Sequence, residues 1–264
     1  MRGDLTTTSE EVVKPPSNSS KIEVKGQKQQ KLLSTTTADG SRVWKIEDSE
    51  ALYRIEGWGQ PYFSINAAGH ITVSPKGDRG GSLDLYELVH ALKQRNLGLP
   101  LLIRFSDILE DRIERLNACF AKAIARYNYP GVYRGVFPVK CNQQRHLVED
   151  LVRFGKPHQF GLEAGSKPEL MIALALLDTP GALLICNGYK DREYIETAML
   201  AQRLGQTPII VLEQIEEVDL VIEVSRQLGI KPIVGVRAKL STQGMGRWGG
   251  STGDRAKFGL TIPL

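Results

Sequence analysis

From Leu101 onward the sequence alternates short apolar runs with amphipathic stretches, and this alternation restricts the fold more than any other feature. The runs that read as strands are Leu101 to Phe105, Val132 to Val139, Gln159 to Leu162, Ala182 to Cys186, Pro208 to Leu212 and Pro232 to Val236. Between them, apolar residues recur at three and four spacing, as in Leu109, Ile113, Leu116, Phe120 and Ile124, and glycines such as Gly155, Gly205 and Gly229 mark helix ends. Each unit is a βα crossover repeating at roughly 25 to 30 residues, which both an eight-stranded barrel and a doubly wound sheet produce. Pattern alone leaves these two open. The chain ends at Thr261-Ile262-Pro263-Leu264 after six such runs, and a barrel needs eight, so the sequence reads as truncated.

The preceding segments have another character. Residues 1 to 40 are rich in Ser, Thr, Lys and Gln, with the triplets Thr6-Thr7-Thr8 and Thr35-Thr36-Thr37, and read as a disordered tail. Residues 41 to 82 carry short aromatic and β-branched runs, among them Leu52-Tyr53-Arg54-Ile55 and His70-Ile71-Thr72-Val73, and read as a small β segment. A loop from Pro75 to Gly81 leads into a helix near Leu83 to Arg95, and residues 83 to 264 form the crossover region.

Composition excludes several classes of function. No apolar run approaches the roughly 18 to 20 residues that cross a bilayer, and the first residues, MRGDLTTTSEEVVKPP, lack the apolar stretch of a secretory signal, so the expectation is a soluble cytoplasmic protein without a membrane partner. The net charge of +4 is spread along the chain, which disfavours nucleic acid as a partner. Cys119, Cys141 and Cys186 form no CxxC pair, and His70, His90, His146 and His158 lack ligand spacing, so no metal motif is present.

In either candidate fold the site lies at the carboxyl ends of the parallel strands. Those positions hold Arg104 with Asp107, Lys140 with Asn142, Glu163 with Ser166, Asn187, Glu213, and Arg237 with Lys239. Lys140 ends the apolar run Val136-Phe137-Pro138-Val139, where partial desolvation would favour a neutral amine able to condense with a carbonyl. The competing reading is a lysine whose stem packs while its ammonium reaches water. Glu163, at the next strand end, could stabilise a protonated Schiff base on that amine, or serve as an ordinary ion-pair partner. Cys141 reads as a packed small residue. The loop Gly244 to Gly253 misses the dinucleotide fingerprint, because Asp254, Arg255 and Lys257 follow it instead of an apolar helix start, and it reads as a lid.

Three stretches go further. Gly135-Val136-Phe137-Pro138-Val139-Lys140-Cys141-Asn142-Gln143, then Gly161-Leu162-Glu163-Ala164-Gly165-Ser166-Lys167-Pro168-Glu169-Leu170, then Gly235-Val236-Arg237-Ala238-Lys239-Leu240 continuing through Gly246-Arg247-Trp248-Gly249-Gly250 to Lys257-Phe258-Gly259-Leu260, closely resemble the biosynthetic arginine decarboxylases. The resemblance runs from about Trp44 to the last residue. It implies an incomplete (β/α)8 TIM-type barrel of the alanine racemase-like class, and conversion of L-arginine to agmatine and carbon dioxide in polyamine, including spermidine, biosynthesis. It further implies pyridoxal 5'-phosphate as cofactor, a magnesium requirement and a homo-oligomer at full length. By that resemblance Lys140 is the Schiff-base lysine, and Glu163, Ser166, Glu169 and Arg237 stand around the cofactor. The family's ring-stacking histidine, phosphate loop and substrate-binding acids would all lie beyond residue 264. Two other readings stay open: a relative acting on ornithine, lysine or diaminopimelate, and a noncatalytic fragment.

Overall fold

A computed structural model describes residues 43–240, 246 and 259–261. The chain divides into two units, residues 1–45 and 46–264. In the first, residues 43–45 are described and carry no helix or strand. The expected tail over residues 1–40 lies outside the described residues, as does the loop Gly244 to Gly253 apart from Gly246.

The second unit opens with helices, not with the β run expected at Leu52 to Ile55. α1 spans Ile46–Tyr53 and α2 spans Ile55–Gly59, separated by Arg54 in the left-handed region at φ 51°. Only Ile55 of the four apolar-run residues is buried, so the stretch buries one residue per turn where a strand would bury alternate ones. The β segment follows as an antiparallel meander of β1 (Phe63–Ile65), β2 (Ile71–Val73) and β3 (Leu83–Asp84), with Phe63 facing Val73 and Thr72 facing Asp84. Asn66 shapes the first turn by accepting from the amides of Ala68 and His70, and Gly69 completes it at φ +80°. Asp84 then caps α3 (Leu85–Gln94) by accepting from the amides of Tyr86 and Glu87.

A buried carboxylate ties this meander to the long helix α4 (Ser106–Arg126). Asp111 accepts from the Tyr62 hydroxyl at 2.6 Å, from Arg115 Nε at 2.5 Å and from Arg79. Burial pushes the Asp111 carboxyl up, but the hydrogen bonds from Tyr62, Arg115 and Arg79 overcome it and hold the group below the usual aspartate range. A folded-state pKa below the unfolded one contributes stability above the ordinary aspartate range, and that contribution is lost as pH falls through the folded value. We therefore expect Asp111→Ala to cost about 2 kcal/mol at neutral pH, with the gap to the parent chain narrowing in acid. Urea unfolding at several pH values checks this, and a cost that stayed constant into acid would contradict the ionic origin.

The crossover region forms a five-stranded parallel sheet of β4 (Val136–Pro138), β5 (Gly161–Ala164), β6 (Leu183–Cys186), β7 (Thr207–Leu212) and β8 (Ile233–Val236), side by side in chain order. That order resolves the choice the sequence left open. A doubly wound sheet reverses its strand order at a switch point, whereas here every crossover lands on the adjacent strand, as in a barrel. The helices α5 (Arg145–Gly155), α6 (Lys167–Leu176), α7 (Arg192–Leu200) and α8 (Glu216–Leu228) cover one face. Leu162, Leu184 and Ile210 pack there against Val148, Leu170, Ile195 and Val224, all buried. The other face, carrying Leu183, Ile185, Ile209 and Val211, is half-buried. Residues 259–260 lie beside the segment after β8, where Leu260 N–H donates to the Arg237 carbonyl and the Leu260 carbonyl accepts from Lys239 N–H.

Three of the expected strands differ by more than a residue. The run Gln159 to Leu162 pairs instead as Gly161–Ala164, which takes Glu163 into the strand. Leu101 to Phe105 carries no strand, because β4 pairs only with β5 among the described residues and no ladder reaches this run. The run from Val132 shortens to Val136–Pro138, and Val139–Cys141 closes into a single 3₁₀ turn. All three glycines expected at helix ends stand there: Gly155 is the last residue of α5, and Gly205 and Gly229 follow helical turns with positive φ.

Candidate active site

The strand ends open onto a cavity of about 490 Å³, and each contributes a polar side chain to it. The 3₁₀ turn after β4 presents Lys140, Glu163 is the penultimate residue of β5, Asn187 follows β6, Glu213 follows β7 and Arg237 follows β8. Register places Pro138 beside Glu163, so the turn that carries Lys140 starts level with the carboxylate. Lys140 Nζ donates to Glu163 Oε1 at 3.1 Å, and Asn187 Nδ2 donates to the same oxygen at 3.1 Å. Glu163 Oε2 is buried and has no hydrogen-bond partner among the described residues. A buried carboxylate oxygen left open is costly, so a donor at this position would be held firmly.

The lysine itself differs from expectation. Its side chain is 59% exposed, so burial does not supply the neutral amine that the apolar run before it implied. The run is buried at Val139, but the 3₁₀ turn lifts the next residue out into the cavity. Cys141 is exposed where a packed position was expected, for the same reason.

Ser166 and Glu169 are drawn together by the start of α6. Ser166 is the N-cap, its hydroxyl accepting from Glu169 N–H at 3.5 Å, and Glu169 Oε2 accepts from Gly165 N–H at 2.7 Å. The Ser-Lys-Pro-Glu spacing is a capping-box signal, with Pro168 in the first turn. Both side chains reach the cavity as well. Arg237 Nη1 donates to Glu213 Oε2 at 3.0 Å, and Glu213 Oε1 accepts from Gly188 N–H at 2.7 Å. Glu213 is fully buried, and its two oxygens join the ends of β6, β7 and β8. Beneath the floor, Tyr194 donates to the Ala164 carbonyl at 2.9 Å. Burial pushes the Tyr194 phenol far up and the Cys186 thiol to about 12, so both stay protonated.

Not every strand-end residue joins this site. Arg104 lines a separate apolar hollow with Phe63, Ile108 and Leu147, and Asn142 accepts from Gln144 N–H in its own turn. Sequence reasoning missed Lys190 and Glu217, a fully buried ion pair below the cavity, and Lys167, which lines the cavity bound to Asp191 at 2.7 Å and Glu193 at 2.9 Å. An available signal was position, since Lys190 and Glu217 each follow a strand end by a few residues. Among the described residues no group of His, Cys, Asp and Glu could hold a metal ion, and no helix is long and apolar enough to cross a membrane.

The chain is thus a crossover protein of adjacent strand order that presents, at the carboxyl ends of its strands, an exposed lysine against a buried carboxylate. The family model described as the pyridoxal binding domain of pyridoxal-dependent decarboxylases matches residues 110–263, and the chain belongs to that family. It is 88% identical over 261 residues to a protein named biosynthetic arginine decarboxylase from Nostoc sp. (strain PCC 7120), covering 98% of this chain and 38% of the relative. A namesake from Thermosynechococcus vestitus is 81% identical over 220 residues, covering 83% of this chain and 34% of the relative. The chain thus spans little more than a third of the length of these curated relatives. The crystal structure of the biosynthetic arginine decarboxylase of Campylobacter jejuni superposes with a TM-score of 0.69 at 31% identity, covering 79% of this chain and 33% of that one. The crossover region is therefore an incomplete (β/α)8 barrel of the alanine racemase-like class, preceded by the antiparallel meander.

Proposed function

We propose that this chain is the cofactor-binding part of an arginine decarboxylase that converts L-arginine to agmatine and carbon dioxide for polyamine synthesis in the cytoplasm. The observation that carries the reading is the Lys140–Glu163 pair, an exposed amine held at 3.1 Å from a buried carboxylate whose second oxygen is open. High identity to proteins bearing the arginine decarboxylase name supports the substrate. Full-length assembly as a homo-oligomer and a magnesium requirement belong to the same proposal.

The residues present fit pyridoxal phosphate at its aldehyde end, where an amine, a carboxylate with an open oxygen and a cation meet around one cavity. When bound, the cofactor supplies a carbonyl that condenses with amines and a ring that accepts the electron pair released by the departing carboxylate. Lys140 Nζ holds it between turnovers. Glu163 Oε1 accepts from that nitrogen and orients it, and Asn187 fixes the same oxygen by donating to it. Arg237, steered by Glu213, presents a cation to the same cavity, while Ser166 and Glu169 brace the loop after β5.

Borohydride reduction of the purified chain with pyridoxal phosphate, followed by peptide mass mapping, tests the assignment. Label concentrated on Lys140 is the expected result, and label scattered over surface lysines would refute it. Agmatine formation from arginine in preference to ornithine, lysine and diaminopimelate, read by mass spectrometry, tests the substrate.

A further inference from the structure

We propose that the buried Lys190–Glu217 ion pair is a positioning device for the cofactor cavity, fixing Asn187 on Glu163 and Glu213 on Arg237; this rests on the cofactor-binding reading above. Lys190 Nζ has three acceptors, the Gly188 carbonyl at 2.6 Å and the Glu217 oxygens at 3.3 and 3.2 Å. Those contacts match the three N–H bonds of an ammonium. Glu217 also accepts from two backbone amides, Lys190 N–H at 3.0 Å and Glu213 N–H at 2.8 Å. Both side chains are buried.

A buried ion pair of this kind adds little net stability over apolar residues of similar volume, so stability does not account for it. What it adds is a fixed geometry that apolar packing would not supply. It ties the carbonyl of Gly188, the amide of Lys190 and the amide of Glu213, and so locks the loop after β6 to the end of β7. From that locked segment Asn187 reaches Glu163 Oε1, and Gly188 N–H and Arg237 Nη1 both bind the Glu213 carboxylate. The pair touches neither the cavity's amine nor its open oxygen and acts through these neighbours.

The test uses the full 264-residue chain. The double variant K190M/E217Q removes both charges together, leaving no buried charge unpaired, and E217D keeps the pair but withdraws the carboxylate by one methylene. Three quantities are read: the unfolding midpoint, amide hydrogen exchange at Asn187 and Gly188, and borohydride-trapped pyridoxal phosphate at Lys140. We expect exchange at both amides to quicken by about tenfold and labelling to fall by about tenfold, with the same direction and smaller size in E217D, at temperatures well below either midpoint. Unchanged exchange in both variants would overturn the proposal, as would quickened exchange with labelling within twofold of the parent chain. Quickened exchange in variants of a parent chain that does not label at Lys140 would uphold the positioning role and sink the cofactor reading.

Discussion

Lys140→Arg abolishes trapping of pyridoxal phosphate in the cavity while the chain stays folded. Arginine keeps a cation opposite Glu163, so the buried carboxylate retains its counter-charge, but a guanidinium does not deprotonate to attack an aldehyde. The informative point is what the neighbouring lysines do once Lys140 is gone. Lys167 lines the same cavity, yet hydrogen bonds from its ammonium to Asp191 and then Glu193 raise its pKa above the ordinary lysine value. An amine held in its ammonium form by two carboxylates is a poorer nucleophile toward an aldehyde. Lys190 is sealed from the cavity by burial and by Glu217. Incorporation should therefore be lost at limiting cofactor, with no compensating label on Lys167. Mass mapping after borohydride reduction reads it, and stoichiometric transfer of the label to Lys167 would show that the cavity, and not Lys140, selects the cofactor.

The second large effect is at Gly188, which sits at φ +76° with its amide on Glu213 and its carbonyl on Lys190. A Cβ there would stand 2.1 Å from the Gly165 carbonyl oxygen and 2.9 Å from its carbon. Both obstacles are backbone, and both ends of the glycine are held, so neither loop has a cheap way to retreat. We expect Gly188→Ala to cost about 3 kcal/mol or more, adding a backbone clash to the strain of an alanine at positive φ. Label at Lys140 should fall with it, because Asn187 moves off Glu163. Gly205 separates the two contributions, since it has φ +82° but open space where a Cβ would stand. Gly205→Ala should cost only about 1 kcal/mol and leave labelling alone. Equal losses in the two variants, measured by urea unfolding, would mean that loop contact adds nothing.

The site was legible because parallel-strand ends are easy to find from apolar runs, and the residue just past each run is placed at the rim by register alone. Lys140, Glu163, Asn187, Glu213 and Arg237 were all reached this way. Exposure was not legible: a single 3₁₀ turn at Val139–Cys141 decides whether Lys140 lies inside or outside, and three residues carry no periodicity to announce it. Lys190 and Glu217 escaped because charge in a sequence does not reveal burial, and only the fold brings residues 27 apart into one pair. Leu101 to Phe105 failed differently, since its composition suits a strand but strand pairing is a property of two segments.

Because neighbouring strands follow one another in sequence, each crossover delivers its own polar residue to the rim while its helix buries on the opposite face. The chemistry of the cavity and the packing of the layer behind it are thereby assigned to different residues of the same unit. A mutation at one strand end alters one wall of the cavity and leaves the apolar layer intact, so such a scaffold can exchange substrates one loop at a time across its descendants without first having to relearn how to fold.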